Sequence, residues 1–227
     1  MTKVLGLIAA QGDFPKNFSQ FCQSRGQDLV IIGHEGVTES WIEPYAHTWI
    51  QWGQIGKALA FFRSQNVKDL VMVGKFPRPV WSKIRPDALG LKWFWSLRKS
   101  LWSQGDNQLL VMIETILKDE GFALHAPHNY WSDLRLEPGT IPPSWQKSLQ
   151  CARQALGALS DFDVGQALVI QDQRILAIEG AEGTDALIQR SGSLIHRDSS
   201  PALFVKMAKA QQSLALDPPV LGLPTFK

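Results

Sequence analysis

Short apolar runs alternate with helix-like patterns along the first half of the chain. The apolar runs have the length and composition of buried strands, and the helix-like stretches repeat apolar residues every three or four positions. This alternation is typical of a mostly parallel sheet covered by helices. It predicts an N-terminal Rossmann-like domain with strands at residues 4–9, 29–33, 49–52 and 70–74 and helices at residues 55–63 and 108–120.

The first strand is followed by a glycine turn and the signals of a helix start. Asp13 is a residue type that caps helices, and Pro15 suits the first helical turn. We predict a helix through Phe18, Phe21 and Cys22 that ends near Gly26.

A break separates the two halves of the chain. Between residues 130 and 143 the periodicity is lost, and Pro138-Gly139 and Pro142-Pro143 mark a linker. We therefore predict a Rossmann-like domain at residues 1–133, a linker at residues 134–143 and a C-terminal α/β domain at residues 144–227.

The second half has its own pattern of elements. Ser144 is expected to cap a helix that runs to Leu159, and another helix should start near Thr184 or Asp185. Polar residues 171–174 join two apolar runs as in a hairpin. These signals predict a second α/β domain with a mixed sheet, with strands at residues 167–170, 175–178 and 203–205.

Composition narrows the classes of partner. The 227 residues carry a net charge of +2 with scattered Lys and Arg, which argues against nucleic acid. No apolar stretch approaches the roughly 20 residues of a membrane span, so any membrane contact is expected to be peripheral. The nine Trp are expected to be mainly packing residues, with a membrane-facing role as the alternative. Cys22 and Cys151 fit a reducing cytoplasm, and a single disulfide between them stays open.

Two glycine turns at strand ends are candidate ligand loops. Gly12 follows the first strand and could present backbone N–H groups to a phosphate, or it could form an ordinary strand-to-helix turn. Gly74, Lys75 and Arg78 follow a later strand, where the cations suit an anionic ligand or form a solvated loop. The missing GxGxxG pattern counts against a dehydrogenase.

Polar residues of the second half form further candidate groups. Gln166 follows a turn and could read a base or sugar edge. Glu179, Glu182 and Asp185 crowd within seven residues, which indicates either solvated charges or a shared metal. The five His lack a metal-binding spacing and are expected to be structural or surface residues. A tract that suits a diphosphate, or else a solvated helix face, consists of Lys206, Lys209 and Gln212.

Eight motifs occur in one order along the chain. They are Gly-Leu-Ile-Ala with a glycine turn and Pro15 (6–15), Gly-x-x-Gly-Lys (53–57), Gly-Lys-x-x-Arg-Pro (74–79), Pro-Asp-Ala-x-Gly-Leu (86–91), Gly-Asp-x-x-Leu-Leu (105–110), Asp-x-Gly-Gln (163–166), Glu-Gly-Thr-Asp (182–185), and Lys-x-x-Lys-x-x-Gln followed by Asp-Pro-Pro (206–219). Together they resemble the UDP-2,3-diacylglucosamine pyrophosphatase family of bacterial lipid A biosynthesis, of the type that is not calcineurin-like. The resemblance covers nearly the whole chain.

The resemblance implies an enzyme. The implied reaction is Mg2+-dependent hydrolysis of the diphosphate of UDP-2,3-diacylglucosamine to 2,3-diacylglucosamine 1-phosphate and UMP. By the resemblance, Asp217 is the catalytic carboxylate and a metal ligand. The substrate-binding residues that it implies are Gly12, Gly74, Lys75, Gln166, Thr184, Asp185, Lys206, Lys209 and Gln212.

The implied substrate also bears on partners and location. We expect a cytoplasmic protein that touches the inner membrane surface peripherally, with a homo-oligomer as an open alternative. Two acyl chains need an apolar cleft, most simply between the domains. Candidates for lining it, or for entering the membrane surface, are Trp81, Trp93, Trp95 and Trp102.

The chain departs from the family pattern in three places. Ala10 and Gln11 replace two of the opening glycines, and Pro218 replaces the usual Leu. Family members continue past a segment similar to residues 222–225 with a further strand-helix unit, so this chain is expected to lack that end. The alternative function is therefore a catalytically impaired member that binds a UDP-sugar or a lipid.

Overall fold

The computed structural model describes residues 3–77, 84–101, 106–134, 139–162 and 164–208. The chain divides into two compact units, Met1–Leu136 and Glu137–Lys227, here called the first and the second domain.

The first domain contains a five-stranded sheet in which every pairing is parallel. Its strand order is β3-β2-β1-β4-β5, the order of the first five strands of a doubly wound sheet. The structure therefore confirms the predicted parallel α/β architecture. The strands are β1 (Leu5–Ala9), β2 (Leu29–His34), β3 (Ala46–Ile50), β4 (Asp69–Val73) and β5 (Ala123–His125).

Helices cover both faces of this sheet, and alternate strand residues face two separate cores. The helices are α1 (Asp13–Ser24), α2 (Ile55–Ser64), α3 (Ala88–Leu101) and α4 (Asp106–Asp119). On one face, Leu7 shares a buried cluster with Phe18 of α1. On the other face, Ile32 shares a cluster with Phe62 of α2 and Leu117 of α4.

Several sequence predictions for this domain need correction. Asp13 is the first residue of α1, and Gly12 occupies the cap position without a side-chain cap. Gly12 has φ 104°, a conformation that favours glycine, so the backbone and not an Asp side chain shapes this turn. The third strand is Ala46–Ile50, earlier than predicted. The pattern missed both α3 and the short β5.

Asp87 ties the start of α3 to the start of α2. Its carboxylate accepts the backbone N–H of Gly90 at 2.8 Å and that of Lys57 at 3.0 Å. Burial acts to raise the pKa of Asp87, but the N–H donors of Gly90, Lys57, Gly56 and Leu89 outweigh it and hold the pKa below its ordinary value. The Pro-Asp-Ala-x-Gly-Leu motif therefore supplies a shared helix cap.

The second domain contains a three-stranded sheet of order β7-β6-β8. Both pairings are antiparallel, so the sheet is antiparallel in the part of the domain that the structure describes. The predicted hairpin is confirmed: β6 and β7 are joined by Asp172 and Gln173, both with positive φ (47° and 67°), as in a two-residue hairpin turn. The elements are α5 (Gln146–Leu159), β6 (Ala167–Gln171), β7 (Arg174–Ile178), α6 (Thr184–Ser191) and β8 (Leu203–Lys206).

This sheet lies between two helices. Leu168 of β6 shares a cluster with Leu156 of α5, and Val169 shares another with Leu187 of α6. Ser144 lies in a 3-10 turn at Pro143–Trp145 and does not cap α5, which begins at Gln146 without a side-chain cap. The helix that precedes the hairpin is otherwise as predicted.

Both cysteines are free thiols, which closes the disulfide alternative. Burial raises the pKa of the Cys22 thiol to about 11. Within the described ranges, no helix has the length and apolar character needed to cross a membrane.

Candidate functional site

Two loops of the first domain meet at the carboxyl ends of β1 and β4. The strand order reverses between these neighbours, and such a switch point is where α/β sheets bind ligands. Gln11 and Lys75 bridge the two loops: the Lys75 N–H donates to the Gln11 carbonyl at 3.0 Å, and the reverse bond is 3.4 Å. Gly12, Gly74 and Lys75, which the sequence singled out, therefore lie on one sheet edge.

Gly74 is restricted both by conformation and by space. It has φ 101°, and a Cβ at this position would lie 2.8 Å from Pro15 Cγ and 2.9 Å from the Ala10 carbonyl carbon. Any other residue would push β4's loop away from the start of α1. Lys75 beside it is exposed, so its ammonium is accessible at this edge. Arg78 and Pro79 of the same motif lie outside the described residues.

His34 is a buried polar residue at the same edge, at the end of β2. Its backbone N–H donates to Thr38 Oγ1 at 2.8 Å, and that hydroxyl donates to the Ala9 carbonyl at 2.7 Å. Its ring lies 4.3 Å from the Trp52 ring, centroid to centroid. Burial lowers the pKa of His34 to about 4, so the imidazole is neutral near pH 7. The sequence expectation of a structural role agrees with this packing.

Two sequence-predicted residues of the second domain bond to a third residue, Glu179, and a further predicted residue, Lys206, bonds to one of them. The Gln166 N–H donates to Glu179 Oε2 at 2.8 Å, and the Thr184 hydroxyl donates to Glu179 Oε1 at 2.6 Å. Lys206 Nζ donates to Thr184 Oγ1 at 3.0 Å. We call Gln166, Glu179, Thr184 and Lys206 the Glu179 cluster.

The local backbone explains why these residues meet. Gln166 directly precedes β6, Glu179 directly follows β7, and the two strands pair in the hairpin. Thr184 begins α6 after Gly183, whose φ of 84° turns the chain back. Lys206 ends β8, the other neighbour of β6. The Glu179 cluster therefore lies where the start of β6, the end of β7, the start of α6 and the end of β8 come together.

Glu179 is 7% exposed, and Gly165 makes room for it. A Cβ on Gly165 would overlap Glu179 Cβ, Cγ and the carbonyl oxygen. Sequence reasoning treated Glu179 only as part of an acidic group and missed its central position. The sequence contained one signal, the Gly165 that precedes Gln166. However, the sequence does not show that Glu179 is the residue that packs against this glycine.

The three acidic residues of this region separate in space. Glu182 pairs with Arg190 at 2.8 Å on the surface. Its own backbone N–H, followed by the Arg190 side chain, holds the pKa of Glu182 below its ordinary value. Asp185 is exposed in the first turn of α6, where the helix dipole favours an acid. Among the described residues there is no group of three or more His, Cys, Asp or Glu that could hold a metal ion.

The remaining predicted residues lie outside the described part of the chain. This applies to the expected catalytic carboxylate and to the end of the basic tract, namely Asp217, Lys209 and Gln212. Asp163 of the Asp-x-Gly-Gln motif and Gly105 lie outside it as well.

The fold and these clusters define a class: a two-domain α/β protein with ligand-type loops at the switch point of one sheet and a buried polar cluster at the strand ends of another. Comparison with known families makes the class specific. A family model described as the LpxI N-terminal domain matches residues 4–134, and one described as the LpxI C-terminal domain matches residues 139–227. The chain belongs to the LpxI family.

A curated relative supports the same assignment. The chain is similar to the UDP-2,3-diacylglucosamine pyrophosphatase LpxI of Caulobacter vibrioides, with 26% identity over 232 residues. The alignment covers 98% of this chain and 82% of the relative. The family resemblance inferred from the ordered motifs is thereby confirmed.

Proposed function

We propose that this protein hydrolyses the diphosphate of UDP-2,3-diacylglucosamine to 2,3-diacylglucosamine 1-phosphate and UMP, as a step of bacterial lipid A biosynthesis. One observation carries the proposal: both LpxI domain models match, in order, across residues 4–134 and 139–227. The name of the Caulobacter vibrioides relative supplies the substrate. In the reaction, water adds to a phosphorus of the diphosphate, the bridging P–O bond breaks, and the departing phosphate keeps the bonding electrons.

The described residues suit a substrate that carries two phosphates and a sugar. Lys206, held at 3.0 Å from the Thr184 hydroxyl, supplies a cation in a partly buried position, where its attraction to a phosphate is stronger than in water. The first domain has its own proposed substrate contacts, Gly12, Gly74 and the exposed Lys75, in the loops at the carboxyl ends of β1 and β4. Asp185, Lys209 and Gln212 are proposed further contacts.

Asp217 is the proposed catalytic carboxylate and Mg2+ ligand. Magnesium binds carboxylate oxygens and commonly shares its coordination sphere with substrate phosphates. The described residues do not form such a site by themselves, because both Glu179 oxygens accept internal hydrogen bonds and Glu182 pairs with Arg190. We therefore assign no step of the reaction to the metal. Loss of UMP release in EDTA, restored by added Mg2+, is the expected outcome for a magnesium enzyme.

Peripheral membrane contact is a further part of the proposal, because the substrate carries two acyl chains. The support is α3, whose segment ALGLKWFWSLRKSL contains Lys and Arg but no acidic residue. Leu91, Phe94 and Trp95 are spaced along one side of this helix and are 45%, 37% and 61% exposed. An apolar stripe with flanking cations suits the surface of an anionic bilayer.

The decisive experiment measures UMP release from UDP-2,3-diacylglucosamine with Mg2+ by the wild type, Asp217→Ala and Asp198→Ala. Asp198 is an exposed carboxylate in the same domain and serves as the matched control. We expect release by the wild type and Asp198→Ala and at least a roughly hundredfold loss in Asp217→Ala. Substrate binding without UMP release by the wild type would contradict the proposed hydrolysis and favour a binding protein.

A further inference from the structure

We propose that Glu179 is a positioning residue that sets the Thr184 hydroxyl and the Lys206 ammonium for binding the substrate diphosphate; this rests on the proposed function. Glu179 is buried, and it does not belong to the residues that the family motifs picked out. Its part is to hold other groups in place, since its own oxygens are engaged inside the domain.

The direction of each hydrogen bond in the cluster is fixed by chemistry. An ammonium can only donate, so the 3.0 Å contact uses a lone pair of Thr184 Oγ1. An ionised carboxylate can only accept, so the Thr184 proton goes to Glu179 Oε1 at 2.6 Å. Glu179 thus forces the hydroxyl lone pairs towards Lys206, and charge-assisted bonds of this kind are strong.

The other carboxylate oxygen fixes the loop that precedes β6. Glu179 Oε2 accepts the Gln166 N–H at 2.8 Å, and the Gln166 carbonyl accepts the Met207 N–H at 3.0 Å. The carboxylate therefore joins the start of β6 to the start of α6, and its two partners in turn bond to the end of β8. Displacing it would loosen all three elements at once.

A separate observation indicates a ligand next to this carboxylate. The Gln166 side-chain oxygen is buried and has no hydrogen-bond partner in the described structure. Buried acceptors in native proteins are normally satisfied, so this atom calls for a donor. A sugar hydroxyl or an N–H of the base is such a donor. The Glu179 cluster would then hold the diphosphate through Lys206 and a neighbouring polar group through Gln166.

The test is a set of double-mutant cycles on Lys206. Glu179→Gln and Thr184→Val should each lower kcat/KM for UMP release roughly tenfold or more, and Thr184→Ser, which keeps the hydroxyl, should recover most of the loss. In a Lys206→Met background, Glu179→Gln and Thr184→Val should lower kcat/KM little further, because they act through the Lys206 ammonium, which this background lacks.

A matched control separates positioning from stability. Gln171 is a buried polar residue at the other end of β6, bonded to the backbone of His196 and Ser200. Gln171→Met should lower the melting temperature, and any effect on kcat/KM should multiply with that of Lys206→Met. Thr184→Val only replaces the hydroxyl with a methyl group of similar size, so it still tests the positioning role if Glu179→Gln does not fold.

The outcomes also distinguish this inference from the proposed function. If the wild type releases UMP but Glu179→Gln and Thr184→Val match it, or their effects multiply with Lys206→Met, the positioning role is wrong and the hydrolase stands. If the wild type releases no UMP but binds UDP in titration calorimetry, the same double-mutant cycles are measured through the Kd for UDP. They then test the positioning role of Glu179 independently of the proposed hydrolysis. Failure both to hydrolyse and to bind UDP would overturn both.

Discussion

Gly165 determines whether Glu179 can occupy its place. A Cβ at this position overlaps the Glu179 side chain and carbonyl, so we expect Gly165→Ala to displace the carboxylate and lower both stability and kcat/KM. The stability loss should be about 1–3 kcal/mol by urea unfolding. Gly157 in α5 is the control: a Cβ there meets nothing within 4 Å, so Gly157→Ala should stabilise by about 0.5–1 kcal/mol. Equal effects of the two substitutions would contradict the packing role.

His34 should make stability depend on pH in a defined window. Its pKa falls from 6.5 in the unfolded chain to about 4 in the folded protein because of burial. Between these values the unfolded chain binds the proton more tightly, so stability is lost as the pH falls from 6.5 towards 4 and no further below it. The largest decrease in the free energy of unfolding that this pKa difference allows is roughly 3 kcal/mol.

The measurement compares urea unfolding of the wild type and His34→Leu at pH 7, 5.5 and 4.5. Leu cannot be protonated, so the variant should lose less stability over this range than the wild type. His196→Leu removes an exposed imidazole and is the matched control. Identical pH dependence in the wild type and His34→Leu would mean that folding does not lower the pKa of His34.

Residue type and spacing predicted binding roles for Gln166 and Lys206, and the family resemblance implied one for Thr184, but neither predicted the partners of these residues. The structure bonds Gln166 and Thr184 to Glu179, and Lys206 to Thr184. Their roles stay predictions, as does that of Asp217. The sequence could not rank Glu179 above Glu182, because only folding buries one carboxylate and leaves the other at the surface with Arg190.

Among elements, α3 carries the prediction about membranes. Replacing Leu91, Phe94 and Trp95 together with Ser removes three exposed apolar side chains of α3 and should reduce sedimentation with phosphatidylglycerol-containing vesicles at least about tenfold. Phe162→Ser is the control, since Phe162 is 76% exposed in the second domain. Vesicles of phosphatidylcholine alone should bind the wild type weakly. Unchanged partition and activity in the triple variant would remove α3 from the proposal.

The elements that the sequence predicted well have strong periodicity. β1, β2, β4, α2 and the β6–β7 hairpin follow long apolar runs or clear helical spacing. The missed elements lack such signals: α3 has aromatic residues on several sides, and β5 has only three residues and is fixed by pairing with β4. Its pairing is a tertiary contact that a local pattern does not contain.

On the scale of the whole molecule, each domain has its own core. The two clusters that cover the parallel sheet consist of first-domain residues, and the two that cover the antiparallel sheet consist of second-domain residues. We therefore expect a fragment of residues 1–136 to fold alone, with a cooperative urea transition and the same pH dependence that His34 gives the full chain. The fragment should release no UMP, because it lacks Asp217 and the Glu179 cluster. A fragment without a cooperative transition would show that the core of the first domain is insufficient for folding alone. In the fragment, Phe62→Ala should lower the free energy of unfolding by about 3–5 kcal/mol, which checks that the transition reports this core.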